Sequence, residues 1–420
     1  MGIRTRYPAN ACPRQGITRS RSSHRALGKP FATGNGFRLA SCLLLYLLLQ
    51  ACTPHFGDSE AALALEDLAA GAFPGRLAAQ TPEPVRETVI YTASLGERSA
   101  DLYQSPEGNL AGIVLVPGAA ARGRHDPRIV TVARTLARLR FAVLVPDMPG
   151  VRRYRVRATD VREVTDAFSW LLARPGLVPE GRVGMAGFSY GAGPVVVAAM
   201  QPGINTQVRF VMCVGGYYDL HNVITYFTTG YADTGAVPVV EGAHQAGLRP
   251  PHPYSESVFI RSNLDLLERP VDRGFLRSYA DYLVDSGAEM DEPVPGTLAP
   301  DARALYQLLI NHDPSAVPQL IERLPERIRH LIEAINPAAY DLSQLQARLI
   351  LLHGRSDNLI PYTESVALSQ ALPAGQAQLF LIDGLAHVDL KPKAHDLPQL
   401  VAAMETLLAE RAGENAAPIR

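Results

Sequence analysis

The sequence predicts an α/β protein: a mostly parallel central sheet flanked by helices, with a large helical insertion between two of its strands. Three observations carry that prediction. From Ala111 to Val214, short apolar runs alternate with amphipathic stretches of about a dozen residues, as expected of βαβ units, whose crossovers are nearly always right-handed. From Asp219 to about Gln346 the alternation stops and helical periodicity takes over. From Ala347 the alternation resumes.

The elements follow in order. Residues 53–84 are rich in Ala, Gly and Pro and read as a tether with one helical piece, Ser59–Ala69. Val85–Thr92 and Arg98–Gln104 flank Leu95-Gly96-Glu97, the signature of a hairpin. Ala111–Val116 and Phe141–Pro146 are continuous apolar runs, as strands covered on both faces require. Between them, Arg128–Leu139 places Ile129, Val132, Leu136 and Leu139 close to one helical face. Asp160–Ala173 is a second helix, Arg182–Ala186 a third buried strand, Gly191–Met200 an Ala/Val-rich helix and Val208–Val214 a fourth strand.

The insertion holds helical pieces at Ser255–Glu268, Arg273–Asp285, Asp301–Asn311 and Glu326–Ile335. The last is amphipathic, with Ile328, Leu331, Ile332 and Ile335 at i, i+3, i+4 and i+7. Some 130 residues of this kind between two strands read as a cap over the sheet. Beyond it come a strand at Ala347–Leu352, a helix at Pro361–Leu372, a strand at Ala377–Ile382 and a final helix at Leu397–Ala412.

Charge separates the chain into two parts. Before Asp58 there is no acidic residue and there are eight basic ones. Setting those eight aside from the 40 Lys and Arg leaves 32 against 41 Asp and Glu, so the remaining body carries about nine net negative charges. A body of that sign offers no electrostatic footprint for nucleic acid. The basic stretch runs into Leu39–Leu49, an apolar segment too short to cross roughly 30 Å of hydrocarbon but right for a signal-peptide core. Leu49-Gln50-Ala51-Cys52 resembles the bacterial lipobox. The resemblance implies that Cys52 is acylated and that the mature protein is tethered to the cell envelope, at the outer membrane or the periplasmic face. Gln50 is an unusual occupant of its position; a cleaved leader without lipid and an uncleaved anchor are the alternatives. Cys213 lies in an apolar run, where a small core residue is expected. No Cys/His spacing suggests a metal site.

The chemistry gathers in three places. Gly187-Phe188-Ser189-Tyr190-Gly191 follows an apolar strand and opens a helix, the setting of a nucleophile elbow. A serine there needs a base, because its hydroxyl alone is a weak nucleophile. Asp357 falls just past the strand that ends near His353-Gly354, and His387 falls in the loop after the next strand. Catalytic groups of open parallel sheets collect at these carboxyl ends. Asp219 is the alternative acid and His395 the alternative base.

These motifs resemble the α/β-hydrolase superfamily, in particular its dienelactone-hydrolase-like and prolyl-oligopeptidase-like branches, over roughly residues 85–412. The resemblance implies the α/β-hydrolase fold with a helical cap, and a Ser189–Asp357–His387 triad in which His353 is structural. It also implies an oxyanion hole made by the backbone N–H groups of Tyr190 and Ala119, the latter in Val116-Pro117-Gly118-Ala119-Ala120 where relatives often carry His-Gly. For Tyr217, Tyr218 and Tyr226, lining the acyl pocket and ordinary packing are both open.

The expected division is a signal peptide over 1–51, a tether over 52–84, a hydrolase core over 85–218 and 347–412, a cap over 219–346 and a tail over 413–420. The expected function is hydrolysis of small-molecule carboxylic esters of short to medium acyl length, through an acyl-serine, with no metal or organic cofactor. A serine peptidase or acyltransferase on the same fold, and a non-catalytic binding protein, are the alternatives.

Overall fold

The computed structural model describes residues 57–71, 73–232, 250–286, 298–390 and 393–412, all within the unit Thr53–Arg420. The leader, Cys52 and the 413–420 tail lie outside the described residues. Eight strands form one sheet: β1 (Val85–Ala93), β2 (Gly96–Gln104), β3 (Ala111–Val116), β4 (Phe141–Pro146), β5 (Val183–Phe188), β6 (Phe210–Val214), β7 (Arg348–Gly354) and β8 (Ala377–Ile382). Their spatial order is β1-β2-β4-β3-β5-β6-β7-β8. Only β2 runs against its neighbours, pairing antiparallel with β1 and β4. The other pairings are parallel. This is the α/β-hydrolase fold.

Two apolar layers sandwich the sheet, and the pleat assigns residues to them. On β3, Ile113 and Leu115 join one layer while Val114 and Val116 join the other, following the period of two along a strand. The helices Thr159–Leu172 and Ala192–Ala199 cover one face, and Pro127–Arg138 and Leu397–Ala409 the other. Cys213 on β6 is buried in the core, and burial pushes its thiol up to about 12.

The segment expected to be a tether is docked instead. The helix Glu60–Ala70 buries Ala61, Ala62, Ala64 and Leu65 against Leu397–Ala409 and Pro127–Arg138. Arg411 pairs with Glu60 at 2.5 Å, and Thr135 donates to Asp67 at 2.7 Å. A short helix, Arg76–Gln80, follows, and Arg76 bonds back to Glu66. The small alanine face carries little hydrophobic contrast in sequence, yet it allows close approach.

The insertion folds around a core of its own, in which Ile260, Leu276, Tyr279, Leu305 and Ile328 are buried. Its helices include Leu220–Thr229, Pro253–Asn263, Pro270–Ser286, Pro300–Leu309, Val317–Glu322 and Glu326–Ala334. Three of them start one to three residues earlier than expected, each at a proline. Proline is favoured in the first helical turn, where its missing N–H costs nothing and its fixed φ suits the helix. No helix among the described residues is long and apolar enough to cross a membrane.

Candidate active site

The site is built from the turns after β5, β7 and β8. At the end of β5 the chain reverses into a helix within three residues, and Ser189 takes φ +52°. A side chain in that region of φ is strained by about 1–3 kcal/mol. The flanking glycines make the turn possible. A Cβ on Gly187 would lie 2.5 Å from the Gly191 carbonyl oxygen, and one on Gly191 would lie 2.7 Å from that of Val116. The serine is thereby placed on the wall of a cavity.

His387 is the first residue of a two-residue turn, with φ +53°, joining the short strands Leu385–Ala386 and Asp389–Leu390. This hairpin packs directly on the end of β7. A Cβ on Gly354 would stand 1.8 Å from the Leu385 carbonyl oxygen, so only glycine admits the contact. The entry to the hairpin is fixed by Asp396, whose carboxylate accepts from the N–H groups of Asp383 and Gly384, both at 2.8 Å. For Asp396 burial works against the charge, but these bonds and one from Lys393 prevail and hold its pKa below the usual carboxylate range.

Asp357, just past β7, is fully buried. Its Oδ1 accepts from the N–H groups of Leu359 (2.8 Å) and Ile360 (3.0 Å). Its Oδ2 accepts from His387 Nδ1 at 2.8 Å and lies 3.3 Å from His353 Nε2. Burial alone would raise this carboxyl. The charge of His387 and the bonds from both histidines overturn that and hold it well below the usual range. With Nδ1–H engaged by the carboxylate, the Nε2 lone pair of His387 faces Ser189 Oγ at 2.8 Å. His353 is fully buried and supports the acid. Its Nε2 also meets the Ile360 carbonyl at 3.0 Å, which can only accept, so Nε2 carries the proton and Nδ1 accepts from Ser365 at 2.7 Å.

Thus Ser189, His387 and Asp357 form one continuous hydrogen-bonded chain. The alternatives lie elsewhere. Asp219 caps the helix Leu220–Thr229 through the His221 N–H and meets Asn336 at 3.2 Å. His395 is exposed and pairs with Asp383 at 2.9 Å. Ala119 and Tyr190 both wall the cavity beside Ser189, and the Gly118 loop passes so close that a Cβ there would be 3.0 Å from that of Ser189. Of the three tyrosines, Tyr217 lines the cavity and donates to the Ile335 carbonyl at 3.0 Å. Tyr218 and Tyr226 are not among its lining residues, and Tyr226 packs against Tyr362 in the core.

Two supports were not read from the sequence. Tyr190 donates to Asp160 at 2.6 Å, locking the residue that follows Ser189. Burial raises the pKa of Asp160 to about 6, against the pull of that bond. From the cap, Tyr254 donates to the Ala119 carbonyl at 3.1 Å, and Ser255 donates to that of Leu359 at 3.1 Å. One turn of cap helix therefore touches both the Ala119 loop and the acid loop. A polar pair opening a cap helix was the available signal, but nothing in its spacing says which loop it meets.

The cavity between sheet and cap encloses about 860 Å³, its open mouth included. Leu220, Val223, Ile224 and Phe227 furnish one wall, a helical stripe at i, i+3, i+4 and i+7. Phe259 of the facing helix stacks obliquely on Phe227, with ring centres 5.4 Å apart. Among the described residues no Asp, Glu, Lys or Arg lines the cavity.

No family model and no curated protein sequence matches the chain. Solved structures do. An esterase of Pyrobaculum calidifontis is 14% identical over 88% of this chain and 97% of its own, with a TM-score of 0.44. The dienelactone hydrolase-like promiscuous phosphotriesterase P91, from metagenomic libraries, is 15% identical over 79% of this chain and 100% of its own, at 0.41. A puromycin-hydrolyzing peptidase of Mycobacterium tuberculosis is 16% identical over 78% of this chain, at 0.41, and the chain spans only 39% of its length. At such identities and scores these likenesses carry no inference about chemistry.

Proposed function

We propose that the protein is a serine hydrolase that cleaves carboxylic esters through an acyl-serine intermediate. One observation carries this reading: the unbroken Ser189–His387–Asp357 chain on the wall of an apolar cavity. Ser189 Oγ attacks the ester carbonyl carbon as its proton passes to His387 Nε2, and the carbonyl electron pair moves onto oxygen. The Tyr190 and Ala119 N–H groups are assigned to hold that oxyanion. Collapse expels the alcohol oxygen, which takes the proton from His387. Water then repeats the sequence and frees the acid and the serine. Asp357 stays charged throughout and orients the imidazole.

The uncharged lining favours a neutral, apolar substrate arm. A fluorophosphonate probe tests the reading directly. Folded wild-type protein should label at Ser189 and turn over p-nitrophenyl esters. Ser189→Ala should lose labelling and at least about ten-thousandfold in kcat. Wild-type protein that neither labels nor turns over would overturn it.

A further inference from the structure

We infer that Asp160 is a positioning residue for the oxyanion hole: through the Tyr190 hydroxyl it holds the backbone N–H assigned to the oxyanion. This inference rests on the ester-hydrolase reading above and adds to it a residue that acts from outside the cavity.

The Tyr190 N–H needs a hold from beyond the helix ladder. Tyr190 is the second residue of the tight turn Ser189–Gly191, and N–H groups in the first turn of a helix have no intrahelical partner. Ser189, just before it, sits at φ +52°, a conformation that persists only where its surroundings enforce it. A hold on Tyr190 opposes relaxation of this turn, and with it any tilt of the N–H away from the reacting carbonyl oxygen.

The side chain supplies that hold. Its hydroxyl donates to Asp160 Oδ2 at 2.6 Å, within the span of roughly 2.5–2.7 Å typical of the strong bonds from a hydroxyl to an ionised carboxylate. With its pKa raised only to about 6, Asp160 is ionised at pH 8. It is itself firmly set, being 3% exposed in the first turn of the helix Thr159–Leu172. That helix buries Val164, Phe168 and Leu171 in the core. Asp160 does not line the cavity, whereas Tyr190 lines it beside Ser189. Asp160 therefore reaches the chemistry only through Tyr190.

Asp160 Oδ2 also accepts from the Arg157 N–H at 2.9 Å, which shapes the start of its helix. The two roles can be separated. Tyr190→Phe removes the first and spares the second. Because both bonds fall on one oxygen, the amide oxygen of Asp160→Asn can accept both, whereas Asp160→Leu accepts neither.

The test follows p-nitrophenyl ester turnover at pH 8, per site titrated with fluorophosphonate, alongside inhibition by an alkyl trifluoromethyl ketone. The adduct of that ketone with serine places an oxyanion in the hole without turnover. In Tyr190→Phe, kcat should fall at least about tenfold and the ketone should bind at least about tenfold more weakly, with KM changed less than about threefold. Asp160→Leu should match it, and the double variant should be no worse than either single one, as expected of two ends of one bond. Asp160→Asn should stay within about threefold of wild type in kcat and in ketone binding. A smaller loss in Tyr190→Phe, or a loss confined to KM, overturns the inference. So does additivity in the double variant, or an Asn variant as impaired as the Leu one. Should Asp160→Leu fail to fold, Tyr190→Phe and Asp160→Asn decide the matter. Wild-type protein that labels and turns over while Tyr190→Phe equals it sinks this inference alone. Wild-type protein that does neither sinks the hydrolase reading beneath it.

Discussion

The two ends of the cavity are built on different terms. At the sheet end, Asp357, His353 and His387 form a closed set of hydrogen bonds anchored to strand termini. At the cap end, the wall is helix faces packed by apolar side chains. The first is a preorganised device whose geometry suits one kind of bond cleavage. The second is a shaped surface that can change its preference without disturbing the first. On the proposed reading, reaction type and substrate choice are housed in separate parts of the chain, joined at a few contacts.

The sharpest test of the sheet end is Asp357→Asn. It keeps the shape but favours the wrong histidine tautomer, so kcat should fall about a thousandfold to ten-thousandfold, measured on any ester the wild type accepts. A loss under tenfold would show that the closed set is not what orients His387. Tyr254→Phe probes the joint between the ends. It deletes only the hydroxyl on the Ala119 carbonyl, so kcat should fall about tenfold, ~1.4 kcal/mol, with KM little changed. A rise in KM at constant kcat would instead make Tyr254 part of the selecting wall.

The smallest expected effect lies at the other joint. Glu364 is buried and accepts from the N–H groups of Tyr218 (3.0 Å) and Asp219 (2.7 Å), where the cap begins. Burial raises its pKa to about 8 despite those bonds. The native state therefore holds its proton more tightly than the unfolded chain. The associated stability is complete below about pH 4.5, the ordinary glutamate range, and drains away as pH rises through 8. Melting temperature should decline from pH 5 to 9 in the wild type and less steeply in Glu364→Gln. Parallel curves would show that this joint does not feel the proton.

Legibility in the sequence divides along the same line. The strands β3 and β4 fall on the residues expected, because a strand buried on both faces leaves an unbroken apolar run; β8, at the sheet edge with Gln378 exposed, was still marked by Leu379–Ile382. Ser189, Asp357 and His387 were readable because each follows a strand with an apolar stretch. The helix Leu220–Thr229 was not picked out, although Asp219 as cap and the Leu220, Val223, Ile224, Phe227 stripe announce it. The burial of Ser262 and Asn263 in the cap was invisible because polar residues at a helix end ordinarily face water. Only the fold of the cap shows that they do not. Docking of Glu60–Ala70 escaped for the converse reason, since alanines signal neither burial nor exposure.

The buried thiol on β6 has a practical consequence. The portion of the chain from Thr53 onward contains that cysteine alone, and burial leaves it almost wholly protonated and shut away from solvent reagents. A cysteine introduced at an exposed cap position such as Tyr282 or Ile310 would then be the one site open to a maleimide dye. This part of the chain is in effect a ready scaffold for single-fluorophore reporters, in which emission from the cap would show whether it moves during turnover, without first removing a native cysteine.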